Sequence, residues 1–150
     1  MWASTPFRLR IEVQSVCTLI RRSLGEFVAK VIIVTGIANR GKTTAIKCAM
    51  NRLGIYVGLG ANDVLLCAPL TIQQTSCYVG FASGGDTAAV VQANITFFAQ
   101  FPLTHMVFAC RSYGAGYNAL TALAAQHGTA PVILPAPDPH LCQKILSHLP

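Results

Sequence analysis

Residues 31–54 of this 150-residue chain, VIIVTGIANRGKTTAIKCAMNRLG, limit its fold more than any other stretch. A run of β-branched residues stops at Gly36, a short loop follows, and the polarity pattern then changes. Ile46, Met50 and Leu53 recur at spacings of four and three, with Gly54 as a stop. The first part reads as a buried strand and the last as a helix. A strand that passes through a glycine loop directly into a helix is the start of an α/β unit.

The same alternation continues to the end of the chain. DVLLCAPL and CYVGFAS read as strands, and the short connector TIQQTS between them predicts an antiparallel hairpin. GGDTAAVVQANITFFAQF reads as a turn and a helix that ends before Pro102. THMVFAC is a strand, YGAGYNALTALAAQH a helix stopped by Gly128, PVILPAP a last strand and HLCQKILSHL a closing helix. Strands separated by helices of this length predict a mostly parallel sheet flanked by helices on both faces. No repeat and no linker divides residues 30–150, so they read as one domain. Residues 1–29 carry Arg8, Arg10, Arg21 and Arg22 against Glu12 and Glu26. They read as a basic extension or an accessory helix, with an Arg-rich targeting segment as the other reading.

Composition narrows the class of partner. Hydrophobic residues make up 53% and charged residues 11%, which excludes disorder and leaves little charge for the surface. Such a surface suits either a tightly packed small domain or one face covered by a second copy or a protein partner. No apolar run reaches the length of a membrane-crossing helix. The net charge of +6 comes from scarce acids, five against eleven bases, and suits an anionic ligand such as a nucleotide. There is no dense Lys/Arg run and no aromatic RNA-binding signature, so nucleic acid is not the expected partner. The six cysteines form no CxxC pair, and several lie in apolar runs. They read as small buried hydrophobes in a reducing, cytoplasmic setting. The four histidines show no metal-ligand spacing, and the Asn94-Ile95-Thr96 sequon reads as chance.

Gly36-Ile37-Ala38-Asn39-Arg40-Gly41-Lys42-Thr43 fits G-x-x-x-x-G-K-[ST] without a mismatch. The glycines let the backbone curl so that successive N–H groups point at a phosphate. The helix N-terminus adds free N–H groups and a favourable dipole. Lys42 supplies a point charge for β- and γ-phosphates, and Thr43 a hydroxyl ligand for Mg²⁺. The bland alternative is a glycine turn with a solvated lysine. The loop resembles the Walker A motif of P-loop NTPases. That resemblance implies a three-layer P-loop NTPase-like α/β fold with Mg²⁺ as cofactor and ATP as ligand or substrate. It implies nucleotide contacts from Gly36, Asn39, Arg40, Gly41, Lys42, Thr43 and Thr44. Residues from about 30 to 135 also resemble a small, poorly characterised group of prokaryotic P-loop ATPase-like proteins. The stretches that carry this are VIIVTGIANRGKTTAIK, DVLLCAPLTIQQTSCYVGFASGGD and MVFACRSYGAG. It implies nucleotide binding and names no substrate.

A P-loop enzyme needs a carboxylate at the end of another strand to hold Mg²⁺ through water. After the loop the chain offers only Asp63, Asp86 and Asp138. Asp86 closes CYVGFASGGD and is the Walker B-like candidate, expected to act with Thr43 on the metal. It also precedes TAAVVQAN and fits a helix cap. If its strand ran antiparallel to the loop strand, it would point to the wrong end. Asp63 reads first as a turn residue, and moves to the ligand end only if the strand after it is the antiparallel one. Asp138 reads as the cap of the last helix. Arg111, after THMVFAC, is a candidate cis arginine finger or else a surface ion-pair partner. Tyr113 and Tyr117 are available to stack on a base or to pack.

The expected function is Mg-ATP binding with hydrolysis or switching, Lys42, Asp86 and Arg111 acting as the catalytic set. GTP is disfavoured because no N-K-x-D segment is present. A small-molecule or nucleotide kinase is the second reading, weakened by the absence of an Arg-rich lid. A module that binds nucleotide without turnover and signals through a partner is the third.

Overall fold

The computed structural model describes residues 29–58, 60 and 62–150. The extension expected over residues 1–29 lies, apart from Ala29, outside the described residues, and so does the choice between an extension and a helix. The elements run β1 (Lys30–Thr35), α1 (Lys42–Arg52), β2 (Leu65–Ile72), β3 (Thr75–Ala82), α2 (Ala88–Phe98), β4 (His105–Cys110), α3 (Ala115–Gln126), β5 (Val132–Pro135) and α4 (Leu141–Ser147).

The strands form one five-stranded sheet in the order β2-β3-β4-β1-β5. β1 is parallel to β4 and β5, β3 is parallel to β4, and β2 alone is antiparallel, paired with β3. The antiparallel hairpin expected from the short connector is therefore present. Its strands run further into the connector than the polar residues suggested, with Ile72 opposite Thr75. Only Gln73 and Gln74 form the turn, at φ 48° and 67°. With both residues left-handed this is the type I′ two-residue loop that matches strand twist, a conformation that strains most side chains other than glycine or asparagine. Replacing the pair by Asn-Gly should raise stability by about 1 kcal/mol. Urea unfolding would show this as a higher midpoint at unchanged slope.

An interior place in the sheet, between β4 and β5, explains why β1 is apolar from Val31 to Val34. Val31, Ile32, Ile33 and Val34 are all fully buried. Ile32 and Val34 pack against Ile46 and Met50 of α1 and Leu141 and Ile145 of α4. Val31 and Ile33 pack on the other face with Val91 and Phe98 of α2 and Leu120 and Ala124 of α3. Each such side chain contributes about 1.5–3 kcal/mol through burial, so β1 is the hydrophobic axis of the molecule. Phe98 and Phe108 add a tilted ring pair with centroids 5.1 Å apart. Among the described residues no helix is long and apolar enough to cross a membrane.

Candidate functional site

The topology sends five loops to one edge of the sheet. The parallel strands β1, β3, β4 and β5 end there, and antiparallel β2 begins there. Open α/β sheets bind ligands in the crevice outside their strand C-termini. Along this edge lies a cavity of about 410 Å³, lined in part by Arg40, Lys42, Thr43, Asp63, Ser83 and Asp86.

One wall is the glycine loop. Gly41 precedes α1 at φ 84°, a left-handed conformation that turns the chain into the helix. No side chain caps α1, and its first turn holds no acid. Its first N–H groups are thus left to whatever enters the cavity. Lys42 follows at once, its side chain only 7% exposed. Its Nζ donates to Gly36 O at 2.6 Å and Ile37 O at 2.9 Å, and lies 3.4 Å from Asp86 Oδ1. The loop therefore curls around its own lysine, and the ammonium faces the cavity.

The two strands of the hairpin each bring a carboxylate. β3 is parallel to β4 and hence to β1, so Asp86 stands at the loop end and meets Lys42. The helix-cap reading of Asp86 falls, because Thr87 caps α2 by accepting from Val90 N. Asp63 precedes the antiparallel strand, so it too reaches this edge, and the turn-residue reading is overturned. The Thr43 hydroxyl lies 3.2 Å from Asp63 Oδ1 and 3.3 Å from Ser83 O, so either can accept its proton. Ser83 Oγ accepts from Val64 N at 2.7 Å and donates to Asp63 Oδ1 at 3.4 Å, tying the start of β2 to the end of β3. The site thus pairs Asp86 with Lys42 and Asp63 with Thr43, where the sequence suggested Thr43 with Asp86.

Arg111 does not line the cavity. Its Nε donates to Asp86 O at 3.2 Å, so it holds the backbone that carries the carboxylate. Tyr113 is 66% exposed, and Tyr117 packs against the α2–α3 side of the core. Asp138 is not the cap of α4, whose N-cap is His140. It accepts instead from His140 N and from Lys144, bonds that hold its carboxyl below the usual range. Cys110 ends β4 beside the site, but burial pushes its thiol up to about 11 despite the opposing pull of Lys42. It is protonated at neutral pH and no nucleophile.

Two positions matter to which the sequence assigned no role, and a third takes a role other than the expected one. Lys47 is buried and donates to Gly60 O at 2.6 Å, fastening the α1–β2 connection beside the cavity. Asn94 lies with Val91 and Phe98 on the buried stripe of α2 and donates to Gly84 O at 2.8 Å. Its polar side chain at a helical core spacing is the signal that the sequence carries for this role. Gly85, expected with Ser83 and Gly84 to let the chain pass close to a phosphate, instead faces the backbone of β4, since a Cβ there would lie 1.6 Å from Ala109 O. Asn94→Ala should cost about 1–3 kcal/mol, because it strands the buried Gly84 carbonyl. Chemical denaturation of the two proteins side by side measures this.

The donor set suits a hard cation. A threonine hydroxyl with a carboxylate oxygen 3.2 Å and a backbone carbonyl 3.3 Å from it offers the kind of oxygen ligands, direct or through water, that Mg²⁺ accepts. Among the described residues no cluster of three or more His, Cys, Asp or Glu side chains exists. Comparison of the chain with protein-family models and with curated proteins found no match.

Proposed function

We propose that this chain is a P-loop protein that binds Mg-ATP and hydrolyses it, alone or as a switch. The observation that carries the reading is the meeting of two carboxylates from different strands with the lysine and threonine of one glycine loop. A glycine turn with a solvated lysine would have no reason to bury that lysine or to set one of the chain's few acids beside it and another beside the next residue, Thr43.

In this reading the first N–H groups of α1 and the Lys42 ammonium hold the β- and γ-phosphates. Thr43 and Asp63 would hold Mg²⁺, which would neutralise phosphate charge. Asp86 stands beside Lys42, where its carboxylate orients a water for in-line attack on the γ-phosphorus and accepts its proton. The P–O bond to ADP breaks as the water oxygen bonds to phosphorus. Arg111 and Asn94 act as positioning residues, holding the turn from Gly84 to Asp86. The free thiols of Cys48, Cys67, Cys77, Cys110 and Cys142 fit a cytoplasmic site of action. A low-charge surface that exposes Tyr56 and Ile37 keeps a protein partner or second copy within the reading.

Phosphate release and equilibrium nucleotide binding test it together. Asp63→Asn should raise the Mg²⁺ needed for half-maximal activity about tenfold, since it weakens an oxygen ligand. Asp86→Asn should lower turnover about 100-fold while nucleotide affinity stays within a few-fold. Failure of the wild-type chain to bind Mg-ATP would sink the reading. Binding without phosphate release would shift it to the kinase if an acceptor restores turnover, and to the non-catalytic module if none does.

A further inference from the structure

The five described cysteines carry free thiols, and two of them meet across a helix interface. Cys48 on α1 and Cys142 on α4 are joined by a side-chain hydrogen bond. Ile46 and Met50 of α1 and Leu141 and Ile145 of α4 pack in one core, which sets the two helices side by side. Both cysteines line a second cavity, of about 590 Å³, and both are half-buried, so a small solute can reach them. Among the described residues the other three thiols are set apart. Cys67 and Cys77 pack on opposite faces of the sheet, and β3 separates Cys67 on β2 from Cys110 on β4. Burial pushes Cys67 up to about 12 and Cys110 up to about 11, which keeps both as inert thiols.

We propose that Cys48 and Cys142 are a peroxide-responsive pair that closes into a reversible disulfide and staples α1, the helix of the glycine loop, to α4. Such chemistry needs two adjacent, accessible thiols, one to react and one to resolve. Their order follows from which thiol keeps its proton. Burial pushes Cys142 up to about 11, the hydrogen bond and the charge of Cys48 add to this, and the Arg52 guanidinium opposes it. Cys142 therefore waits as a thiol while Cys48 supplies the attacking thiolate. The Cys48 sulfur takes one oxygen of hydrogen peroxide, the O–O bond breaks and hydroxide leaves, which gives a sulfenic acid. The Cys142 sulfur then bonds to the Cys48 sulfur, the S–O bond breaks, and hydroxide leaves with the Cys142 proton as water. The two thiols lose two electrons in all, and one peroxide becomes two waters. Arg52, one turn beyond Cys48 on α1, eases the loss of the Cys142 proton in the second step. A thiol reductant reopens the bond by exchange. Transient disulfides of this kind are the ones that a reducing compartment allows. The inference does not depend on what the first cavity binds.

Mild hydrogen peroxide on the reduced full chain tests this, with alkylation of the remaining thiols and peptide mapping by mass. Cys48 and Cys142 should leave the thiol pool together, about tenfold or more faster than Cys67, Cys77 or Cys110, and appear as one cross-linked peptide. The bond closes a loop of about 95 residues, so the thermal midpoint should rise by about 5–15 °C and fall back with dithiothreitol. Cys142→Ser should stop the reaction at a Cys48 sulfenic acid, trapped by dimedone, with no rise in midpoint. Cys48→Ser should leave Cys142 as unreactive as Cys110. These variants test the order of events, and wild type alone tests the pair even if neither variant folds. Oxidation of Cys48 and Cys142 no faster than that of the buried thiols overturns the proposal. So does a disulfide from either of them to another cysteine, Cys17 included, or a cross-link that forms only in urea.

Discussion

Gly85→Ala should leave the chain unable to fold stably, with a cost above about 4 kcal/mol. The added Cβ would lie 1.6 Å from Ala109 O, 2.5 Å from Ala109 C and 3.1 Å from Cys110 Cα. All three are backbone atoms of β4, the strand beside β3, and no rotamer change can move them. Relief requires β3 and β4 to part where Asp86 is presented. Gly84→Ala is the matched control. Its Cβ would lie 3.0 Å from Asp63 Oδ2, the end of an exposed side chain that can swing aside. That variant should fold with a loss of about 1 kcal/mol or less, and should instead disturb Mg²⁺ dependence by displacing Asp63. Urea midpoints of the two variants decide the matter. Equal midpoints would mean that β3 and β4 do not approach as closely as described.

Lys42→Ala should reduce phosphate release at least 100-fold, the usual loss when one fixed donor to a reacting oxygen is removed. Stability should move little, by about 1 kcal/mol in either direction. The substitution removes a buried ammonium, which offsets the loss of its bonds to Gly36 O and Ile37 O, and water can reach those carbonyls because Ile37 is exposed. Lys42→Arg should not restore activity. A guanidinium is planar and longer, and cannot occupy the point between two carbonyls 2.6 and 2.9 Å away that the ammonium fills. Single-turnover phosphate release with parallel thermal unfolding checks both halves. Turnover that survives Lys42→Ala would remove the loop from the chemistry.

Much of this arrangement could be read from the chain because local signals agreed. β1 announces itself through the unbroken β-branched run from Val31 to Thr35, and burial on both faces is the reason. Gly54 and Gly128 mark helix ends by adopting the left-handed conformation that glycine favours, at φ 85° and 71°. The hairpin was legible from a six-residue connector, though the strands claim four of those residues, because cross-strand pairing outweighs the polarity of Thr71, Thr75 and Ser76. What the chain could not tell was strand order. The place of Asp63 and Asp86 depends on which neighbour β3 takes, a long-range pairing that no local pattern encodes. With two acids at one edge, the partner of Thr43 was likewise a matter of tertiary geometry. Asn94 and Gly85 escaped for a different reason: their worth lies in one contact each, to Gly84 O and to the backbone of Ala109, across elements far apart in sequence.

The Gln73–Gln74 turn has a practical meaning beyond its own strain. It lies at the far pole of the sheet from the glycine loop, joining an edge strand to its neighbour. Exposed hairpin tips of this kind tolerate inserted sequence. A fluorescent reporter or an affinity handle placed between the two glutamines would hang clear of every loop that surrounds the cavity. The molecule thus carries its own attachment point for watching the cavity edge of the sheet without touching it.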